Sequence, residues 1–450
     1  MMHSCFERIL QAVVDTFQDG GFHGWVAVLC LFVTRAARAT LFKGLGMMLP
    51  TLQEQFSTST WLIGWMVATT EVGAQVGGFF ATPLKERFGA RTVVIVCGLT
   101  AGISMITASL ISSYVIAIIL TFLTGPAIGI PYVIMQHLIG CHFNKSITTA
   151  FGVAVMGSSL SYVAVVPLIQ LFLDIYGWRG TMLLLGGLFL HLAVCGALIK
   201  SPAASGGQDD YEAARINEEK EARDDTDVPN KRFGCSCFTA VCSFARGTIQ
   251  SEIYSSMSFW IITFHSCVWP LMYSAWIIYY VQYSTVYKEI TLEATSHFIV
   301  AFGIGRAVAC VLIGPVVQKT QVVGTYTWYG IALLLPAICY AVDPWLTSFW
   351  LIAANAFVLG IAISMSTILE SVVIKDIFGK ELMGHVLGSI ALLSGTGFLL
   401  SLYFPGLIYD TTDDYTIAFS IMGGVQLLAA STLPLLYWIQ PRRSATVRHQ

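Results

Sequence analysis

Six ionisable side chains stand inside stretches that are otherwise apolar: Arg35, Arg38 and Lys43 in the first, Glu71 in the second, then Arg306 and Glu370 further on. An ionised group is expensive to hold away from water, so its presence in such a setting points to binding or proton relay. Four positive and two negative groups sum to +2, and a cavity shared by them attracts anions. At about 100° per helical residue, Arg35 and Arg38 are neighbours on one face, and Lys43 lies roughly 80° round from Arg35. All three can therefore face one central path.

Each of these residues also has a plainer role. Arg35 or Arg38 pairing with Glu71 would simply hold two helices together, and Lys43, closer to a helix end, can extend its ammonium to water. Arg306 follows Gly303 and Gly305, small residues that allow close helix approach. The residue one turn before it is Phe302, so no acid neutralises it at that spacing, and its planar fork suits a carboxylate. Glu370 reads either as a proton site or as the partner of Arg306. The candidates for proton coupling are Lys43, Glu71 and Glu370. His137, His191 and His265 are single histidines in apolar runs and read as packing or hydrogen-bonding residues. There is no grouping with metal-ligand spacing and no nucleophile–base motif, so the expectation is no metal, no cofactor and no enzyme.

The elements that must position these residues are membrane helices. The 450 residues are 56% hydrophobic and 11% charged, with a mean hydropathy of +0.71, whereas a soluble domain carries about 25% charged residues. Stretches long enough to cross a bilayer, about 20 apolar residues each, run over 24–49, 61–81, 92–111, 114–138, 148–173, 181–199, 258–283, 296–317, 324–341, 347–371, 383–407 and 417–438. That is an all-α membrane protein of twelve transmembrane helices. A polar stretch over 200–257 is too poor in apolar residues to fold alone and reads as a disordered linker. It divides the chain into an N-terminal region 1–23, a six-helix bundle 24–199, the linker 200–257, a second six-helix bundle 258–438 and a tail 439–450.

Lysine and arginine orient the bundle. With both termini cytoplasmic, eighteen of the 24 fall on the cytoplasmic side: Arg8, Lys85, Arg87, Arg91, Lys145, Lys200, Arg215, Lys220, Arg223, Lys231, Arg232, Arg246, Lys319, Lys375, Lys380, Arg442, Arg443 and Arg448. Arg179 and Lys288 fall outside, and the other four are the intramembrane cations above. Residues 1–22 are short and mixed in charge, so no cleavable leader is expected and the first helix serves as its own insertion signal. The sequon Asn144-Lys145-Ser146 is then cytoplasmic and unmodified. A net charge of −2 argues against a nucleic-acid partner. Cys30, Cys97, Cys195, Cys310 and Cys339 lie in apolar runs and read as small packing residues, while Cys235, Cys237 and Cys242 sit before the seventh helix, where lipidation is an option.

Several motifs carry a resemblance. Asp19-Gly20-Gly21-Phe22-His23-Gly24-Trp25 opens the first helix. His142-Phe143-Asn144-Lys145, then Ala150, Gly152, Ala154 and Gly157, enter the fifth. Tyr176-Gly177-Trp178-Arg179-Gly180, then Gly186-Gly187 and Gly196, occupy the sixth, and Glu86-Arg87-Phe88-Gly89-Ala90-Arg91 links the second to the third. Together these resemble the signatures of the monocarboxylate transporters, and the last resembles the general motif of the major facilitator superfamily, whose fold is two six-helix bundles. The resemblance departs at His23, an extra residue, and at Ser146 and Ile147, which stand where a basic pair is usual. It implies that Lys43 occupies the place of the family's proton- and substrate-binding lysine, and Arg306 that of the arginine that holds the substrate carboxylate. Proton-coupled members carry an aspartate where this chain has Phe302, so the resemblance leaves proton symport in doubt. It also implies that some members travel with a single-span immunoglobulin-type subunit.

The function expected from residues and resemblance together is transport of a small monocarboxylate or related organic anion by alternating access, in the plasma membrane. Arg35, Arg38, Lys43, Arg306 and Glu370 form the expected substrate site. The alternatives are a facilitative carrier of an amino acid, creatine or carnitine-like zwitterion, and a sensor that binds without translocating.

Overall fold

A computed structural model describes residues 2–56, 60–111, 114–200, 251–284, 288–320, 324–412 and 415–439. Most of the linker, including Cys235, Cys237 and Cys242, and the tail beyond 439 lie outside the described residues. The described chain is helical: α1 (Met2–Phe56), α2 (Thr60–Phe88), α3 (Ala90–Leu110), α4 (Tyr114–His142), α5 (Ile147–Leu160), α6 (Val166–Phe189), α7 (His191–Leu198), α8 (Ser251–Ser255), α9 (Met257–Gln282), α10 (Leu292–Lys319), α11 (Thr325–Val342), α12 (Phe349–Thr412), α13 (Tyr415–Ser431) and α14 (Leu433–Ile439). A π-helical stretch at Ser161–Val165 joins α5 to α6. The helix satisfies every backbone polar group within its own segment, which is what hydrocarbon surroundings demand.

Among the described residues, nine helical segments are long and apolar enough to cross a bilayer. The segment at 349–401 has 53 residues, enough for two crossings of about 20 each, and its backbone turns at Gly379 (φ 73°, ψ −179°). α2 (29 residues) and α9 (26 residues) are also long enough to cross, which brings the passes among the described residues to twelve. The same backbone break occurs at Gly21 (φ 57°), Gly89 (φ 79°) and Gly177 (φ 65°). A side chain at any of these positions would be strained, so the glycines of the helix-one, helix-six and interhelical motifs are turns that no other residue makes cheaply. Helical structure also begins earlier than the sequence pattern indicated: α1 runs from Met2, and Gly21 separates the leading segment from the crossing one.

The outer surface is apolar. Leu99, Ile103, Val311, Leu312, Leu351 and Leu428 are exposed, as lipid contact requires. Small residues set the closest helix crossings inside. A Cβ on Gly305 would meet the carbonyl of Phe357, and one on Gly129 that of Ala74, so α10 and α4 approach their neighbours backbone to backbone.

The two signatures expected at the starts of the first and fifth passes fold onto each other. Asp19 Oδ2 accepts from the backbone amides of Asn144 (3.2 Å), Lys145 (2.9 Å) and Ser146 (2.8 Å), just before α5 begins. The Trp25 ring packs edge-on against Phe143 at 5.4 Å, and a Cβ on Gly20 would strike that same ring. Gly157 and Gly152 lie against the carbonyls of Phe32 and Cys310. Trp178 is buried beneath Arg179, whose guanidinium carbon is 5.2 Å from the indole ring. These motif residues are therefore fasteners of the fold.

Candidate functional site

Between the halves lies a cavity of about 190 Å³ whose wall includes Arg35, Arg38, Glu71, Arg306 and Glu370. Five of the six intramembrane charges thus meet in one place. On α1 the wall residues are Arg35, Arg38, Ala39 and Phe42, the i, i+3, i+4, i+7 pattern of one helical face. Lys43 lies one residue beyond that stripe and is not among the lining residues; its ammonium sits 5.9 Å from the Phe42 ring centroid. The roughly 80° between Arg35 and Lys43 separates wall from flank.

Arg38 pairs with Glu71, the structural alternative weighed for these helices. Arg35 does not share that partner. It is 6% exposed, and its Nε and Nη2 are buried without a hydrogen-bond partner. Both guanidinium groups lie over the Tyr132 ring of α4, with each carbon 5.0 Å from its centroid. Tyr132 also accepts from Gln136 Nε2 at 3.4 Å.

Arg306 donates to hydroxyls from three other helices: Nε to Ser364 (3.3 Å), Nη1 to Tyr273 (3.0 Å) and Nη2 to Ser158 (3.2 Å). Ser158 belongs to the N-terminal half and the other two to the C-terminal half. The guanidinium is therefore aimed between the bundles by neutral acceptors that an incoming carboxylate can replace with stronger, charge-assisted bonds. Glu370 is not the partner of Arg306. It accepts from the Ser266 hydroxyl and the Trp269 indole. Phe302 is 1% exposed and packs on Trp276 (4.9 Å) and Tyr273 (6.0 Å).

Tyr132, Ser158, Ser266, Trp269, Tyr273 and Ser364 were not singled out from the sequence. A signal was present: Ser266, Trp269 and Tyr273 recur at i, i+3 and i+7, as do Thr367, Glu370 and Ile374, so each set marks one face of its helix that carries polar groups.

At the end of the bundle where α2 turns into α3, ties run across the two halves. Lys375 Nζ donates to the Phe143 carbonyl. His137 bonds Lys85 Nζ through Nδ1 (2.6 Å) and the Lys380 carbonyl through Nε2 (3.0 Å). The ammonium can only donate, so the imidazole accepts at Nδ1 and donates from Nε2. Glu86 of the interhelical motif meets His385 at 3.2 Å, and Gln318 reaches the Lys145 carbonyl at 3.4 Å. Arg87 lies over Phe88 (5.5 Å) and Arg91 is exposed. The cavity is thus shut toward this lysine- and arginine-rich end. At its other end Phe42 of α1 and Phe398 of α12 meet edge to face across the halves at 5.5 Å. His265 bonds Thr432 (2.8 Å) and His191 the Leu188 carbonyl (3.1 Å), which keeps both in structural roles. Among the described residues no group of three or more His, Cys, Asp or Glu is placed to hold a metal.

Comparisons with known proteins agree with this geometry. A family model described as Major Facilitator Superfamily matches residues 27–342 and 290–450. Monocarboxylate transporter 12 of Xenopus laevis is 25% identical over 420 residues, covering 92% of this chain and 88% of the relative. Monocarboxylate transporter 2 of Mus musculus is 25% identical over 425 residues, covering 92% and 85%. Monocarboxylate transporter 11 of Mus musculus is 32% identical over 189 residues, 42% of each chain. Among solved structures, the proton:xylose symporter XylE bound to 6-bromo-6-deoxy-D-glucose superposes with a TM-score of 0.67 at 13% identity, over 92% of this chain and 96% of that one. At that identity the likeness concerns the fold.

Proposed function

We propose, from the premise that this chain belongs to the major facilitator superfamily and within it to the monocarboxylate transporters, that it carries a small organic anion across the plasma membrane by alternating access, with both termini cytoplasmic. The observation that supports this most is the placement of Arg35 and Arg306 on facing bundles around one cavity, each aimed into it. An anion that touches both arginines binds the conformer in which the halves approach better than any in which they part, and that differential affinity is what couples binding to rocking. Arg38 is largely neutralised by Glu71, which leaves it to position Tyr132. Lys43 flanks the cavity behind Phe42, outside its lining.

Glu370 is the carboxylate best suited to couple a proton, because Glu71 is engaged by a cation and Phe302 has no proton to exchange. The test is uptake of a labelled organic anion by proteoliposomes, with and without an inside-alkaline gradient. Arg306→Ala abolishes uptake while surface expression persists, and Glu370→Gln removes any gradient stimulation. Normal uptake by Arg306→Ala would sink the assignment of this cavity as the substrate site.

A further inference from the structure

The geometry points to a substrate with two carboxylates: one on Arg306 of the C-terminal half, the other on Arg35 of the N-terminal half, with Glu370 protonated in the loaded state. The inference rests on the anion-carrier reading above and sharpens its substrate class to short-chain dicarboxylates. A single carboxylate needs only Arg306, whose three nitrogens are each held by a separate hydroxyl, those of Ser364, Tyr273 and Ser158. Arg35 then has no hydrogen-bonded acid among the described residues, only the through-space attraction of Glu370. It is buried in the cavity wall, with two guanidinium nitrogens that have no hydrogen-bond partner among the described residues.

Burying such donors unpaired is costly, and the cost is recovered when a bound acceptor meets them. Nε and one terminal nitrogen of a guanidinium lie on the same edge, the edge that takes a carboxylate in bidentate fashion. The Glu71 carboxylate does not reach Arg35, because it is taken by Arg38. Tyr132 keeps the two arginines apart by stacking against both, so Arg35 is held in place for a ligand instead of swinging onto the same acid.

Charge balance supports the same occupant. With Arg38 and Glu71 cancelling, the wall keeps Arg35 and Arg306 against Glu370. A dianion leaves the filled cavity neutral if Glu370 carries a proton. The groups that face Glu370 are Arg35 from α1, Ser266, Cys267 and Trp269 from α9 and Tyr329 from α11, and Arg306 from α10 lines the same cavity. A volume of about 190 Å³ is enough for a chain of four or five carbons.

The experiment uses the full-length chain in liposomes and compares initial uptake of labelled succinate and glutarate with that of labelled lactate and butyrate under an inward proton gradient. The expected result is dicarboxylate uptake at least tenfold above monocarboxylate uptake. Arg35→Gln is expected to cut the dicarboxylate-to-monocarboxylate ratio by about ten- to a hundredfold, the effect of losing one buried charge-assisted pair. Arg35→Lys, which keeps the charge without the fork, is expected to fall between. If monocarboxylates move and neither dicarboxylate does, or if Arg35→Gln lowers both classes in proportion, the dicarboxylate inference is overturned while the anion-carrier reading stands. If none of the four moves, both are overturned. Should Arg35→Gln fail to fold by size-exclusion chromatography, the uptake ratio of the unmodified chain decides alone.

Discussion

Lys375→Met combined with His137→Phe loosens the end of the bundle at which the two halves are tied. The double variant removes the Lys375 bond to the Phe143 carbonyl and the His137 bond to the Lys380 carbonyl, both of which cross between the bundles. A charge-assisted bond is worth about 1.5–3 kcal/mol when buried, but Lys375 is half-buried, so solvent screening brings its share to about 1 kcal/mol. His137 is 8% exposed, and its bond is an ordinary one of about 1 kcal/mol. Together the losses come to about 2 kcal/mol, a factor of about 30 in the closed-to-open ratio. The assay is double electron–electron resonance in nanodiscs, with spin labels on the exposed residues Asn144 and Glu381, one in each half, and the other reactive cysteines replaced. The unmodified pair gives one short distance. The double variant adds a longer population, and a conformer closed at 30:1 falls to parity. Distance distributions that superimpose would refute the idea that these ties hold the closed end.

Gly379→Ala forces a side chain into a left-handed backbone (φ 73°) and is expected to cost about 1–3 kcal/mol, read as a lower melting temperature in detergent. Gly187→Ala, whose added methyl meets nothing within 4 Å, serves as the comparison and leaves the melting temperature unchanged or slightly raised. Lys288→Met strips buried Asp343 of its only ion-pair partner among the described residues and leaves the carbonyls of Asp343 and Leu346 without their donor, so stability falls by about 3–5 kcal/mol. Asp343→Asn added to Lys288→Met is expected to recover part of that loss in the same melting experiment. Asp19→Ala leaves three consecutive amides without an acceptor at the entry to α5, and thermal unfolding should shift by the equivalent of about 1–2 kcal/mol.

The passes and their division into two sixes were legible because a bilayer imposes a length and a polarity on each helix, and those are properties of local sequence. The intramembrane charges were legible for the same reason. Their partners were not. The pairing of Glu71 with Arg38 and not Arg35 depends on how α2 rotates against α1, which hydropathy does not encode. Lys43 was expected beside Arg35 and Arg38, yet the face of α1 that meets the cavity ends at Phe42, and one residue of helical phase decides that. Arg306 lines the cavity, but the serines and tyrosine that hold it come from α5, α9 and α12, far apart in sequence. A lone Ser in a membrane helix announces nothing until its neighbour across the interface is known.

Three of the ties at the closed end share a chemical asymmetry. Lys375, His137 and Gln318 all reach main-chain carbonyls, those of Phe143, Lys380 and Lys145. A carbonyl is present whatever side chain its residue carries, so the acceptor positions are free to drift in sequence without weakening the tie. Only the donors are exposed to loss by point mutation. The same feature eases reopening, since parted carbonyls and surface-side donors rehydrate and no ion is left stranded in a dry interface. Homologues aligned by side chain alone would therefore understate how well this end is kept, because half of each contact leaves no trace in the letters.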